Sequence, residues 1–227
     1  PFCALGAGTA AADGTRREIG GVVTETRERN GKQKVTLRVL VADDDAEMRS
    51  GTRLMLSMIS NTQIVAMARN GHQAVEMTKA HHPNVALMDI NMPGMDGLEA
   101  IRAMQRLRHP PFCIIISAEK DAPTVKRAVS VGVVAYLIKP FTIEELAAVL
   151  EKTRNAVAKR RRQLEAQARK YVKARRTDDE AVAVLEALTK DPNCSLRWPM
   201  SLAVVYVVRQ EWGKLRQLAD QMEQRET

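Results

Sequence analysis

From Val35 onward the chain alternates short apolar runs with segments of helical spacing. VTLRVLVA (35–42) is β-branched and apolar, the composition of a buried strand. AEMRSGTRLMLSMIS (46–60) follows, with Met48, Leu54, Leu56 and Ile59 at helical spacing. The same alternation continues through a strand at 62–68, a helix at 72–82 stopped by Pro83, and a strand at 85–89. A turn, NMPGMDG (91–97), leads into a helix at 98–108. A strand at 112–117, a helix at 122–132 ended by Gly132, and a strand at 134–138 complete the series. Lys139-Pro140 stops the last strand, and Thr142 with Glu145 forms a capping box that opens a fifth helix.

Five strands that alternate with five helices predict an α/β fold with a parallel sheet covered on both faces. The strands show no regular alternation of polar and apolar positions, as expected when both faces are buried. Parallel crossovers are right-handed, which leaves few topologies.

Beyond 150 the pattern changes. Residues 151–176 contain neither Gly nor Pro, so the fifth helix is expected to run on as a basic helical linker over 153–176. Val157, Leu164 and Tyr171 recur every seven residues, but Thr153, Arg160 and Gln167 between them are polar, which is half of a coiled-coil seam. Residues 177–227 predict an all-α region. Ala181, Val184, Leu185 and Leu188 match Leu215, Leu218, Ala219 and Met222 at an offset of 34. That period resembles the tetratricopeptide repeat, and an ordinary helical hairpin is the equal alternative. Residues 1–34 show no apolar periodicity and are expected to be a disordered or non-native segment. The first methionine is Met48, inside the first helix, and Val35 stands where the periodic part begins.

Composition adds little until charge is placed along the chain. The 227 residues are 45% hydrophobic and 27% charged, enough to bury a core. The longest apolar runs, Val133 to Ile138 and Leu202 to Val208, are too short for a bilayer. Cys3, Cys113 and Cys194 lie far apart, which argues against a disulfide framework or a zinc site and points to a cytoplasmic protein. The net charge is +8, yet residues 151–176 alone carry 11 basic and 2 acidic side chains, and 177–227 are net −3. The basic stretch could face nucleic acid, acidic lipid or an acidic partner, or be a solvated helix between two domains, and it is expected to contact the acidic tail, within one chain or across a dimer.

Ligands of open α/β sheets sit beyond the carboxyl ends of the strands. Here those ends carry Asp43 and Asp44, Asp89, Ser117 and Lys139. Each has an ordinary reading as a cap, turn or loop residue. Together they make a set of clustered carboxylates that suits a hard cation, with an ammonium and a hydroxyl to hold phosphoryl oxygens.

VADDDAEMR, MDINMPGMDG, IIISA and AYLIKPFT resemble the motifs of the response-regulator receiver domain of two-component signalling. Asp44, Asp89, Ser117 and Lys139 follow one another at spacings of 45, 28 and 22 residues. The resemblance covers about residues 35–152. It implies a doubly wound, flavodoxin-like five-stranded sheet of order 2-1-3-4-5. It implies that Asp89 accepts phosphate from a histidine kinase or phosphotransfer protein. It implies that Asp44, Asp89 and the backbone carbonyl of Asn91 ligate Mg²⁺, with Asp43 acting through water. Ser117 and Lys139 would bind the phosphoryl oxygens, and Ser117 and Tyr136 would form the switch. The Lys139-Pro140 bond would be cis. No activity beyond self-phosphorylation and dephosphorylation is implied. The output is expected to be a helical protein-interaction module, with a homodimer or an unidentified output protein as partner; nucleic acid binding and a bare phosphorelay adaptor are the alternatives.

Overall fold

The computed structural model describes residues 35–191 and 194–224. The expectations for residues 1–34 lie outside these. The sheet consists of β1 (Leu37–Ala42), β2 (Thr62–Ala68), β3 (Val85–Met88), β4 (Phe112–Ser117) and β5 (Ala135–Ile138). All pairings are parallel and the order is β2-β1-β3-β4-β5, as the resemblance implies. The helices between them are α1 (Ala46–Met58), α2 (Gly71–His81), α3 (Gly97–Gln105) and α4 (Ala122–Ser130).

Side-chain alternation along each strand divides two cores. Leu37, Val39 and Val41 face one side with Leu87, Ile114 and Ile116, where α1 supplies Leu56. Leu40 and Ala42 face the other with Met88 and Ile115, where Ala74 of α2, Ile101 of α3 and Ala128 of α4 complete the layer. Both faces are apolar, which is why the strands read as unbroken hydrophobic runs.

α5 (Ile143–Lys173) is one continuous helix of 31 residues, about 46 Å long at 1.5 Å per residue. Its capping box forms as expected: Glu145 N–H donates to Thr142 Oγ1 and Thr142 N–H to Glu145 Oε2. Leu146, Leu150 and Val157 pack under the sheet, while Ala168 and Tyr171 belong to a third core. The heptad positions therefore do not form an exposed seam. Val157 is used by the sheet domain, and Leu164 and Tyr171 by the helices that follow.

Those helices are α6 (Asp179–Thr189), α7 (Arg197–Val208) and α8 (Trp212–Glu223). Their core joins Leu185, Leu188, Trp198, Leu202, Tyr206 and Leu218 to the end of α5. The first half of the sequence repeat is buried, but Ala219 in the second half is exposed. Val204, Val207, Val208 and Trp212 stay exposed as well, so intrachain packing covers only part of the apolar surface in 177–227. The basic stretch does meet the acidic tail within one chain: Arg161 of α5 pairs with Asp191 at 2.8 Å, and Arg176, just after α5, with Asp178 and Glu180 at 2.7 and 2.8 Å. Among the described residues no helix is long and apolar enough to cross a membrane.

One residue of the basic stretch departs from the solvated reading. Arg154 is only 4% exposed. Its guanidinium donates to the carbonyls of Val35, Ser60 and Asn61 at 2.8 to 3.1 Å and pairs with Glu151. It ties α5 to the segments that precede β1 and β2. Its place on the apolar face was legible, since it stands four residues after Leu150 and three before Val157.

Candidate functional site

The acidic cluster is built by loops that leave the carboxyl ends of the strands. Asp43 follows β1, and its N–H bonds to Ala68 O at 3.3 Å. Asp45 caps α1 by accepting from Glu47 N–H at 2.8 Å. Arg49 of α1 donates to the carbonyls of both Asp43 and Asp44, at 2.7 and 2.8 Å, and so fixes the turn between them. Arg49 lies inside the quoted VADDDAEMR motif, but its spacing alone gave it no role.

Asp89 follows β3, with its N–H held by Ala42 O at 2.8 Å. The loop beyond it returns tightly to α3, where Gly97 N–H reaches Ile90 O at 2.9 Å. A Cβ at Gly97 would stand 1.9 Å from the Asp89 carbonyl oxygen. Only glycine admits that approach, so the second glycine of NMPGMDG shapes the Asp89 loop directly. Asp96 and Glu99 form a further capping box at the start of α3.

The carboxylates of Asp43, Asp44 and Asp89 offer oxygens within 4.8 Å of one another. Asp43 and Asp89 are buried, and Asp44 is exposed. Lys139, just after β5, extends its ammonium to Asp43 Oδ2 at 2.7 Å and Asp89 Oδ1 at 3.0 Å. The Lys139-Pro140 bond is cis. Burial holds the Asp89 carboxyl above the usual carboxylate range, although Lys139 and the Asn91 N–H oppose this. The two carboxylates in turn hold the Lys139 ammonium above its ordinary value, against burial. One ammonium shared by two buried carboxylates leaves the cluster short of positive charge, and Asp44 makes no ion pair among the described residues.

Asn91 N–H donates to Asp89 Oδ2 at 3.1 Å. Ser117, the last residue of β4, is fully buried, and its Oγ accepts from Glu119 N–H at 3.2 Å. Tyr136 of β5 donates its hydroxyl to Glu119 O at 2.9 Å. Burial pushes its phenol up. Asp43, Asp44, Asp89, Ser117 and Lys139 therefore lie at one edge of the sheet, with Tyr136 on the neighbouring strand. The crevice can hold a divalent cation and present one carboxylate beside an ammonium.

The model for the response regulator receiver domain matches residues 39–151. Chemotaxis protein CheY of Bacillus subtilis is 35% identical over 118 residues, which cover 52% of this chain and 98% of that protein. Protein-glutamate methylesterase/protein-glutamine glutaminase 2 of Carboxydothermus hydrogenoformans is 40% identical over 140 residues, 59% of this chain and 40% of that one. The chain thus spans less than half of this esterase, and the match reaches 60% of the length of the transcriptional regulatory protein NarL of Mycobacterium tuberculosis. The solved receiver domain of that NarL is 36% identical, with a TM-score of 0.50 over 52% of this chain and 97% of that one. The strand order, the carboxylate crevice and these matches agree: through residues 39–151 the chain belongs to the response regulator receiver family.

Proposed function

We propose that Asp89 accepts a phosphoryl group from a histidine kinase or phosphotransfer protein, and that the change is passed to the helices after residue 150. The observation that carries this reading is the placement of one buried carboxylate, Asp89, against a second carboxylate and an ammonium at the carboxyl edge of the sheet. An Asp89 oxygen forms the new P–O bond as the donor's P–N bond breaks, and the donor histidine keeps the electron pair. Lys139 is close enough to follow the charge that develops on the phosphoryl oxygens. The buried Ser117 hydroxyl supplies a hydrogen bond from the neighbouring strand.

Three carboxylates with one ammonium suit a hard divalent cation. Asp44, Asp89 and the Asn91 carbonyl would hold Mg²⁺, with Asp43 acting through water, and the ion would neutralise charge in the transition state. Ser117 and Tyr136 are the switch pair: both bond to Glu119, so movement of Ser117 toward a phosphoryl group would release the Tyr136 contact.

The output on this reading is protein interaction by the C-terminal helices, in a cytoplasmic signalling chain. Their exposed apolar face at Val204, Val208 and Trp212 would take a partner or a second copy. Arg154, Arg160, Arg161 and Arg176 are engaged within the chain, which leaves the other basic residues of 151–176 as the surface for the nucleic acid alternative. Acetyl phosphate with Mg²⁺ should add one phosphoryl group to the full chain and none to Asp89→Asn. Equal labelling of the two would overturn the assignment.

A further inference from the structure

At the opposite, amino edge of the sheet, α5 and α6 close over the receiver and leave a cavity of about 420 Å³. This is the size of a small-molecule site. Pro83, Pro110, Val157, Leu164 and Leu188 make its walls largely apolar. Its charged lining is five Arg or Lys side chains against one acid, Asp191, with His82 and His109 beside them. Arg38, His82 and Lys190 also line an adjoining cavity of about 630 Å³, so these three stand where the two spaces meet.

Some of these cations are already used. Arg108 pairs with Glu186 at 3.0 Å, and Arg161 with Asp191. Arg160 donates to Pro110 O at 2.6 Å and lies over the Phe112 ring. Two groups are not. Lys190 makes no side-chain hydrogen bond or ion pair among the described residues. His109 Nε2 is buried and has no hydrogen-bond partner. Burial and the neighbouring cations push His109 down to about 4, and they lower His82 and Lys190 as well, with the Glu186 carboxylate opposing at His109 and Lys190. Clustered cations beside a buried, unpartnered imidazole nitrogen favour an anion that completes them.

We infer that this cavity binds a small organic phosphate, with the phosphate at Lys190, His109 and His82 and the organic part against the proline and leucine walls. A dianion matches a cluster with several donors, and the apolar walls exceed what inorganic phosphate would cover. The ligand would touch the receiver through His82 and His109 and the helical region through Lys190, so it would hold the two together. This site is independent of Asp89 and lies at the other end of the sheet.

Calorimetric titration of the full chain tests this with AMP, glucose 6-phosphate, inorganic phosphate and adenosine. At least one of the two phosphate esters should bind, inorganic phosphate more weakly, and adenosine not at all. The same ester should raise the melting temperature progressively with its concentration, including above saturation. Lys190→Gln and His109→Gln should each weaken binding about tenfold, the loss for one charge-assisted hydrogen bond. Neither residue has a bonded side-chain partner, so both variants should melt as cooperatively as the native chain. The inference is overturned if neither ester binds, if adenosine binds as well as AMP, if inorganic phosphate alone binds, or if both variants retain native affinity.

Discussion

The side-chain amide of Asn91 donates to Glu119 Oε1 at 3.1 Å, bridging the loops that follow β3 and β4. The two residues stand two positions beyond Asp89 and Ser117, at the mouth of the crevice. Both are polar, so the entrance admits water and can orient it. The phosphorylated form should therefore be short-lived. Asn91→Met and Glu119→Leu should each slow its hydrolysis about tenfold, the effect of one lost hydrogen bond to a charged group. Release of phosphate from labelled protein after the donor is removed measures this. A native form that persists for many hours in Mg²⁺ would sink the prediction.

Gly97→Ala should be among the most damaging single changes in the receiver. The added methyl would meet the Asp89 carbonyl at 1.9 Å, so the backbone must move. We expect a loss of about 3 kcal/mol, typical of a mutation that forces such a rearrangement. Labelling by acetyl phosphate should fall as well, at temperatures where the variant remains folded. Gly51, whose added Cβ meets nothing within 4 Å, is the control. Gly51→Ala should leave labelling unchanged.

Arg154→Met should destabilise the chain by about 3 kcal/mol, because it removes a buried guanidinium that bonds the carbonyls of Val35, Ser60 and Asn61. Arg162→Met, on the exposed side of the same helix, should cost less than about 0.5 kcal/mol. Urea unfolding of the two variants separates an interior arginine from a solvated charge. Equal midpoints would show that Arg154 contributes no more than the surface residue.

Stability should fall as the pH drops from 6.5 toward 4. His109 is held down to about 4 in the folded chain against an ordinary 6.5, by burial and by Lys190, Arg108 and His82, with Glu186 opposing. The unfolded chain takes up this proton first, so the contribution is present above 6.5 and lost through that window. After allowance for solvent screening it is about 1 kcal/mol. His109→Gln should flatten the melting temperature over this range. An unchanged slope would place the acid sensitivity elsewhere.

Leu185→Ala should cost 2–5 kcal/mol, the range for a fully enclosed leucine. Its side chain lies in the core shared by α5, α6 and α7. Because that core is separate from the two around the sheet, acetyl phosphate should still label the variant. Loss of labelling at low temperature would show that the receiver depends on the helices for its own fold.

The receiver was legible in the sequence because two simple rules act there. Strands buried on both faces must be apolar throughout, and the carboxyl edge of a parallel sheet gathers whatever its loops carry. Asp43, Asp89, Ser117 and Lys139 each directly end or follow a strand, so finding the strands places the site. The caps at Asp45 and Thr142 were equally local, since a cap and its partner lie within three residues.

What tertiary structure decided is contact between segments distant in the chain. Arg154 belongs to a basic run by composition, yet it is buried because carbonyls more than ninety residues away converge on it. Val157, Leu164 and Tyr171 share one periodicity but serve two different cores, a division that depends on where α6 and α7 pack. The cavity at the amino edge draws Arg38, His82, His109 and Lys190 from four separate places. Helical periodicity records which residues share a face; only the folded chain settles what that face meets.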